Sequence, residues 1–412
     1  MIHAFTSINV AYLPKARVLG HSLKKWHPEI RFHLMLSDQI PDWFELENEP
    51  FDSVITPQDL AIDNLEGWIF KHSVVELCTA VKPFAFRHII SKHNAEKVFY
   101  FDPDCVLFSR ADNLIADLDS HSVVLTPHIC SPETTREAII DTETSCLRHG
   151  IYNLGFLGVR TDEEGMKVVN WWCDRLYEFC QDNIPFGLFT DQRWMDFVPA
   201  CFERVRIARE PEYNVATWNY TTRKLTGNMA DGVLVDGRPL CFHHFSGVDS
   251  GNAEMMLRKY SKDAPVVWEL NHWYEQACAA QGQGTVSLTP WLYGFYDNGE
   301  KVSRDDRLLY RNNPDLQAEF PEPFHVNQPG RKFGVTFYDW LRNNTKQGLS
   351  QPIHVTEPFL VFLARTESSL LSYVRLTKRL RSWQKRGCER VITKLFGFVR
   401  WLGRCVGVKV GV

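Results

Sequence analysis

The sequence lacks a hydrophobic run long enough to cross a membrane, because no stretch of its 412 residues reaches the roughly 20 consecutive apolar residues that a transmembrane helix needs. We also expect no secretory signal, since residues 1–7 read MIHAFTS and predict a first strand rather than a charged segment followed by an apolar one. The eleven cysteines form no C-x-x-C pair. We therefore expect reduced thiols in a cytoplasmic protein.

Most of the chain carries a net negative charge, and its basic residues are in excess only near the C-terminal end. Residues 375–412 carry eleven Lys and Arg against one acid, a net charge of +10, so the rest of the chain carries −14. The acidic body argues against non-specific nucleic-acid binding. The basic segment has apolar residues at helical spacing and predicts an amphipathic helix. Such a helix either lies on an anionic surface, here the inner face of the cytoplasmic membrane, or packs against the body.

Short apolar runs alternate with helical patterns over residues 1–250. Strands are predicted at 3–8, 32–36, 98–101 and 123–125. Helices are predicted at 14–26, at 73–88 with Pro83 as a kink or true start, and after a Thr161-x-x-Glu164 capping box through 179. This order predicts an α/β fold with a mostly parallel sheet covered by helices on both faces. Residues 251–358 predict a helical and irregular extension, and residues 359–412 a basic helical tail.

Two carboxylates with one residue between them, Asp102 and Asp104, directly follow the apolar run at 98–101. Ligands of parallel sheets bind beyond the carboxyl ends of the strands, which is where these side chains are expected. Unpaired buried carboxylates are costly, and a hard divalent cation compensates them. The pair therefore predicts a cation that carries a phosphorylated ligand, although acidic pairs also occur in ordinary surface turns.

A histidine pair offers one more metal ligand. His243 and His244 lie in the apolar run LCFHHFSG at 240–247, and as a strand this run would point them to opposite faces. Only one of them is then a candidate ligand, and its addition to the carboxylates favours Mn²⁺ over Mg²⁺. The alternative is that one ring is a core histidine and the other is solvated.

Six short motifs occur in an order that resembles one enzyme family. They are FTSINVAY at 5–12, TAVKPF at 79–84, YFDPD at 100–104, YNLGF at 152–156, TDQ at 190–192 and HFSG at 244–247. The chain resembles a GT-A-fold, nucleotide-sugar-dependent glycosyltransferase. It is most similar to glycosyltransferase family 8, which includes bacterial lipopolysaccharide galactosyltransferases and glycogenin, or to a sister family. The resemblance covers residues 1–250.

The resemblance implies a role for each motif. It assigns the nucleoside to Thr6, Ser7, Asn9 and Tyr12, the rest of the donor to Lys82, Asp102, Gly155 and Gly247, the reacting sugar to Asn153, Asp191 and Gln192, and the metal to Asp102, Asp104 and His244. The implied cofactor is Mn²⁺ or Mg²⁺, the donor a UDP-sugar, and the acceptor a glycan or lipid-linked glycan of a bacterial surface polysaccharide.

One position departs from the family pattern. Where the resemblance expects a lysine that contacts the diphosphate, the chain has Ser250. The charge of the leaving group then falls to the metal, to Lys82 and, as a further candidate, to Arg87. The resemblance favours retention of configuration, for which the leaving phosphate can accept the acceptor's proton; inversion would need a carboxylate base such as Asp191.

Other readings stay open at the level of sequence. Asp191 could simply cap the following helix through residues 194–198. A nucleotidyltransferase also uses paired carboxylates, but it should have a Gly-rich phosphate loop after the first strand, where this chain reads NVAYLP at 9–14. A membrane-associated scaffold that kept the fold without activity is a third reading.

Overall fold

A computed structural model describes residues 1–346. This part of the chain divides into two compact units. The first comprises residues 1–68 and 72–294, and the second residues 69–71 together with the chain from Phe295 onward. The first unit thus extends beyond residue 250, where the sequence predicts the end of the catalytic domain. The predicted division at 250 and 358 stays a prediction, and the basic tail at 359–412 lies outside the described residues.

The strands of the described residues form one large and three small sheets. They are β1 (Ile2–Ile8), β2 (Arg31–Leu36), β3 (Ser53–Ile55), β4 (Lys97–Phe101), β5 (Cys105–Leu107), β6 (Val123–Pro127), β7 (Tyr152–Arg160), β8 (Gln181–Asn183), β9 (Leu188–Thr190), β10 (Val205–Ile207), β11 (Leu225–Asn228), β12 (Gly232–Val235), β13 (Arg238–Pro239) and β14 (Phe242–His244). The large sheet has the order β10-β6-β7-β4-β1-β2-β3, in which β7 alone is antiparallel to its neighbours. This sheet confirms the predicted α/β class with a mostly parallel sheet.

The helices of the described residues are α1 (Leu13–Trp26), α2 (Leu65–Phe70), α3 (Val74–Ala80), α4 (Lys82–His93), α5 (Asp112–Ser120), α6 (Arg136–Ala138), α7 (Thr144–His149), α8 (Glu163–Phe179), α9 (Val198–Cys201), α10 (Asn252–Tyr260), α11 (Pro265–Ala280), α12 (Arg304–Arg311), α13 (Pro314–Glu319) and α14 (Phe337–Lys346). One π-helical turn, Ile139–Glu143, joins α6 to α7. None of these helices is both long and apolar enough to cross a membrane.

The predicted helix at 73–88 is two helices. Helix α3 begins with a capping box in which Ser73 and Glu76 bond each other's backbone N–H, and α4 begins at Lys82. Pro83 occupies the first turn of α4, where its missing N–H leaves no intrahelical bond unmade. Of the two alternatives, Pro83 therefore marks a true helix start.

The predicted cap of helix α8 is one residue off. The side chain of Asp162, not Thr161, accepts the N–H of Gly165 at 2.9 Å. The Thr161 hydroxyl instead donates to the carbonyl of Ala95 at 2.5 Å, and the Glu164 carboxylate accepts the N–H of Glu203 at 2.9 Å. The predicted capping box of Thr161 and Glu164 is wrong, because both side chains bond other segments of the chain.

The core of the first unit explains why its strands have apolar runs. Strand β6 is buried along its whole length, and only the first residue of β4 is not fully buried. Strands covered on both faces bury successive side chains in both directions, so they show no polar alternation. Residues from β1, β2, β4, β6 and β7 meet in one apolar cluster with helices α1 and α5.

Strand direction places the site. Since β7 runs antiparallel to β4, its beginning lies at the edge where β4 ends, and the N–H of Asp102 donates to the carbonyl of Gly155 at 2.9 Å. Strand β14 pairs antiparallel with β5, with His244 opposite Cys105. Three segments far apart in sequence therefore meet beyond one sheet edge.

The second unit has its own aromatic core in the described residues. The ring of Phe70 lies edge-on to those of Tyr310, Phe324 and Phe337. The guanidinium of Arg307 donates to the carbonyl of Phe70 at 2.8 Å. Rings in edge contact gain a modest electrostatic stabilisation beyond their burial.

Candidate active site

Two carboxylates and one imidazole form a cluster beyond the end of strand β4. His244 Nε2 lies 3.0 Å from an oxygen of Asp104 and 3.7 Å from an oxygen of Asp102. Burial would raise the pKa of the Asp104 carboxyl, but the facing imidazole lowers it to about 2. The same contact raises the pKa of His244, against the effect of its burial. The structure thus brings together the three residues expected to bind a metal.

The histidine pair separates across strand β14 as the alternation predicts. His243 points away from the cluster, bonds the hydroxyl of Tyr220 and contacts the ring of Phe245. Burial lowers its pKa to about 3, so it is neutral near pH 7. Of the two histidines, His244 is the one that faces the carboxylates, and His243 lies in the core.

The second nitrogen of His244 is fixed by amide oxygens. Nδ1 lies 3.2 Å from Oδ1 of Asn153 and 3.3 Å from Oδ1 of Asn214. Both partners only accept hydrogen bonds, so Nδ1 carries a proton and Nε2 faces the carboxylates. Metal-binding imidazoles are oriented in this way by the bond their other nitrogen makes. Asn214 holds this position with φ +50° and full burial, a strained backbone typical of functional sites.

Glycine at position 155 leaves room for that ring. A Cβ there would lie 2.4 Å from Cε1 and Nδ1 of His244. A carbon atom cannot approach a ring so closely without displacing it. The structure therefore gives Gly155 a positioning role through His244, next to the donor-site role that the resemblance implies.

A buried ion pair adjoins the cluster. The ammonium of Lys82 lies 2.8 Å from Asp191 and 3.4 Å from Asp102, and it sits 4.2 Å from the centre of the Tyr100 ring. Burial opposes the charge on Lys82, but Asp102 and Asp191 raise its pKa above the ordinary value. The Tyr100 hydroxyl donates to Asp102 at 2.5 Å.

The capping alternative for Asp191 does not describe its side chain. Asp191 stands before the 3-10 helix Gln192–Phe197, yet it makes no side-chain cap bond. Its carboxylate faces Lys82 and accepts the Thr190 hydroxyl at 3.0 Å. Burial raises its pKa, and Lys82 opposes that rise.

Gln192 holds the start of strand β7. Its Oε1 accepts the N–H of Leu154 at 3.0 Å, and its Nε2 donates to the carbonyl of His149 at 3.1 Å. The side-chain amide of Asn153 lies within 3.4 Å of the same Oε1. Both amides are therefore fixed by the fold, with Asn153 in direct contact with His244.

The expected nucleoside residues differ in exposure. Thr6 is fully buried, Ser7 donates to the carbonyl of Cys78 at 2.6 Å, and Asn9 is buried. Tyr12 is 43% exposed and lines the cleft described below. Among the described residues, Tyr12 is thus the member of this set that presents its side chain to a ligand.

The carboxylate–histidine cluster and the Lys82–Asp191 pair lie in a cleft of about 1090 Å³. Its lining includes the predicted residues Tyr12, Lys82, Asp102, Asp104, Asn153, Asp191, Gln192, His244 and Gly247. Thr6, Ser7, Asn9, Gly155 and Arg87 are not among the described residues that line it. The guanidinium of Arg87 instead lies 5.3 Å from the ring of Phe84.

Three residues of the site escape the sequence analysis. His128 follows strand β6 directly, and its Nε2 accepts a hydrogen bond from the side-chain amide of Asn153 at 3.1 Å. Its place after a predicted strand could have identified it. Trp218 lines the cleft with its ring edge-on to His244. Asn214 and Trp218 lie in an irregular segment, where no spacing pattern indicates position.

The donor set fits a hard divalent cation. Asp104, Cys105 and His244 have potential ligand atoms within 4.8 Å of one another. Burial raises the pKa of the Cys105 thiol well above its usual range, and Sγ lies 3.5 Å from the carbonyl of Gly155. Burial therefore keeps Cys105 a neutral thiol in the metal-free site. Two carboxylates and one imidazole suit Mn²⁺ or Mg²⁺.

The fold and site define an α/β protein with a mostly parallel sheet and a carboxylate–histidine cluster beyond its strand ends. No protein-family model matches the chain. It is similar to two uncharacterised proteins of Bacillus subtilis (strain 168). YfnF is 29% identical over 236 residues, which are 56% of this chain and 74% of YfnF. YfnD is 27% identical over 250 residues, 60% of this chain and 77% of YfnD.

Among solved structures, the chain is similar to galactosyltransferase LgtC in complex with donor and acceptor sugar analogs (14% identity, TM-score 0.39, 68% of this chain and 96% of that one). It is also similar to glycosyltransferase GlyE of Streptococcus pneumoniae TIGR4 (16% identity, TM-score 0.39, 67% of this chain and 64% of that one). A third similar structure is mouse xyloside xylosyltransferase 1 (13% identity, TM-score 0.37, 59% of this chain and 97% of that one). All three are glycosyltransferases by name.

Proposed function

We propose that this protein is a metal-dependent glycosyltransferase that moves a sugar from a nucleoside-diphosphate donor, a UDP-sugar, to an acceptor hydroxyl. The observation that carries the proposal is the cluster of Asp102, Asp104 and His244 with its Nε2 facing the carboxylates in an open cleft. A divalent cation bound there would stabilise the negative charge that develops on the departing diphosphate.

The chain's own residues would prepare this site. Asn153 and Asn214 would hold one proton of His244 on Nδ1. Nε2 would then bind the ion after giving up the proton that it donates to Asp104. Lys82 stays charged between Asp102 and Asp191 and adds a positive charge to the same side of the cleft. Groups fixed before the substrate arrives need no reorganisation during the reaction, which is the main source of electrostatic catalysis.

Asp191 supports the second half of the proposal. Its buried carboxylate lines the cleft next to Lys82. As the bond to the diphosphate breaks, positive charge develops on the sugar, and a fixed carboxylate stabilises that charge. We favour a retaining reaction, in which the acceptor's proton passes to the leaving phosphate and Asp191 stays ionised.

The acceptor belongs to the same proposal. We infer a glycan or a lipid-linked glycan of a bacterial surface polysaccharide, because the motif order resembles enzymes of that pathway class. An acceptor on a lipid would give the basic segment at 375–412 a purpose, since clusters of Lys and Arg bind anionic membrane surfaces.

A donor screen tests the function. Purified full-length protein is incubated with a panel of nucleotide sugars and Mn²⁺, and the released nucleoside diphosphate is measured. We expect one donor to be hydrolysed, with loss of turnover in EDTA and in Asp104→Ala. Asp42→Ala, at an exposed turn outside the cleft lining, is the matched control and should keep full turnover. Equal turnover in the parent and Asp104→Ala, or none with any donor, would contradict the proposal.

A further inference from the structure

Lys15 occupies a position that is unfavourable for a lysine. It lies in the first turn of helix α1, where the helix dipole disfavours positive charge, and no acidic residue shares that turn. Its side chain is 6% exposed. Burying an ammonium costs free energy unless an anion accompanies it. Residues that break such local rules occur where function requires them.

The anion that accompanies Lys15 in this structure is a loosely held one. The Lys15 ammonium pairs with Asp249, whose side chain is 48% exposed. Asp249 lies in a turn between Gly247 and Gly251, both with positive φ. Ser250, at the position where the resemblance expects a lysine, bonds the carbonyl of Gly247 at 3.1 Å and brings no charge. The carboxylate can leave for solvent, whereas the ammonium is confined.

Lys15 lies behind Tyr12, next to the cleft rather than among the residues that line it. Its Nζ lies 4.5 Å from the centre of the ring of Tyr12, which lines the cleft. Burial opposes its charge, but Asp104 and Asp249 raise its pKa. In turn the Lys15 charge helps to lower the pKa of Asp104. The ammonium is therefore within electrostatic reach of the candidate metal cluster.

We propose that Lys15 binds the diphosphate of the donor, and that Asp249 occupies its ammonium until the nucleotide arrives. This inference rests on the proposed function. Lys82 already pairs with the buried carboxylate of Asp191 and the partly buried carboxylate of Asp102. Lys15 gives up only a half-exposed partner on a surface turn, so exchange of that partner for a phosphate oxygen costs little.

Calorimetric titration of the full-length protein with UDP in the presence of Mn²⁺ tests the proposal. Lys15→Met should weaken UDP binding by about 10- to 100-fold, the effect of losing one bond to a charged group. Binding of uridine, which has no phosphate, should not change. Lys25→Met, on the exposed side of the same helix, should bind UDP like the parent.

Asp249→Asn gives an independent result if Lys15→Met does not fold. Removal of the competing carboxylate should tighten UDP binding at low salt. Unchanged UDP affinity in Lys15→Met, or unchanged or weaker affinity in Asp249→Asn, would overturn the proposal and assign the pair a structural role. A parent protein that binds no UDP would instead count against the proposed function itself.

Discussion

Asn153, which lies in strand β7, connects that strand to the carboxylate–histidine cluster. Its Oδ1 accepts three donors: the N–H of Gly155 at 2.9 Å, the amide of Asn214 at 2.9 Å and Nδ1 of His244 at 3.2 Å. Fully bonded buried networks of this kind hold a single arrangement, because each lost bond leaves a polar group unpaired. The position of the His244 ring thus depends on residues that need not touch the substrate.

Gly155→Ala tests that dependence. The added methyl group would overlap the His244 ring, so we expect the Mn²⁺ concentration for half-maximal donor hydrolysis to rise about 10- to 100-fold. Gly158→Ala is the matched control. Gly158 lies in the same strand β7, but its added methyl group would meet the ring of Phe99 instead of His244. Both variants should lose stability, by about 1–3 kcal/mol. An equal Mn²⁺ requirement in both would contradict the positioning role.

Residue by residue, the sequence predicts the site only where a pattern bears on it. The alternation of a strand separates His243 from His244, and the place of Asp104 after an apolar run indicates a strand end. Nothing local indicates Asn214, because its position depends on contacts with β6, β7 and β14 from distant parts of the chain. The pairing of Lys82 with Asp191 likewise joins residues more than 100 positions apart.

Three elements meet in a stack of histidine rings at the other end of the chain's first strands. His3 of β1, His33 of β2 and His93 of α4 lie with ring centres 5.0–5.1 Å apart, and His3 Nδ1 is 2.8 Å from His33 Nε2. Burial lowers the pKa of His3 to about 4 and that of His33 to about 3. Both rings are thus neutral in the folded protein near pH 7.

The stack makes stability depend on pH. Unfolded histidines take up protons below pH 6.5 while the folded rings do not, so the free energy of unfolding should fall as pH drops from 6.5 toward 4. His33→Phe should reduce the loss between pH 7.5 and 5.5 by about 1 kcal/mol, measured by urea unfolding. The same substitution at exposed His272 should leave the loss unchanged. An unaltered loss in His33→Phe would contradict this account.

Element boundaries follow the sequence closely where one pattern dominates. The predicted strand at 98–101 is observed as Lys97–Phe101, and the predicted helix at 14–26 as Leu13–Trp26. Directions do not follow in the same way. Strand β7 is antiparallel because of how it pairs with β4 and β6, which no local pattern in its sequence indicates. That reversal brings Asn153 and Gly155 to the site.

At the scale of the whole molecule, the alternating pattern predicts the α/β class, and the sheet confirms it. Beyond the sheet, composition predicts less. Residues 251–294 lie within the first unit, where α11 packs in one apolar cluster with β11, β12 and the loop after β14. The predicted division at 250 stays a prediction. Helical periodicity indicates that a helix buries one face, not which neighbour it contacts.

Manganese binding tests the central claim most directly, because the three proposed ligands come from two distant segments that only the fold brings together. The electron paramagnetic resonance signal of free Mn²⁺ is recorded during titration of the full-length protein with UDP present. The account predicts one tightly bound Mn²⁺ per chain in the parent, and loss of that binding in Asp104→Ala and His244→Ala but not in Asp42→Ala. Retention of tight Mn²⁺ binding in Asp104→Ala and His244→Ala, or its absence from the parent, would contradict it.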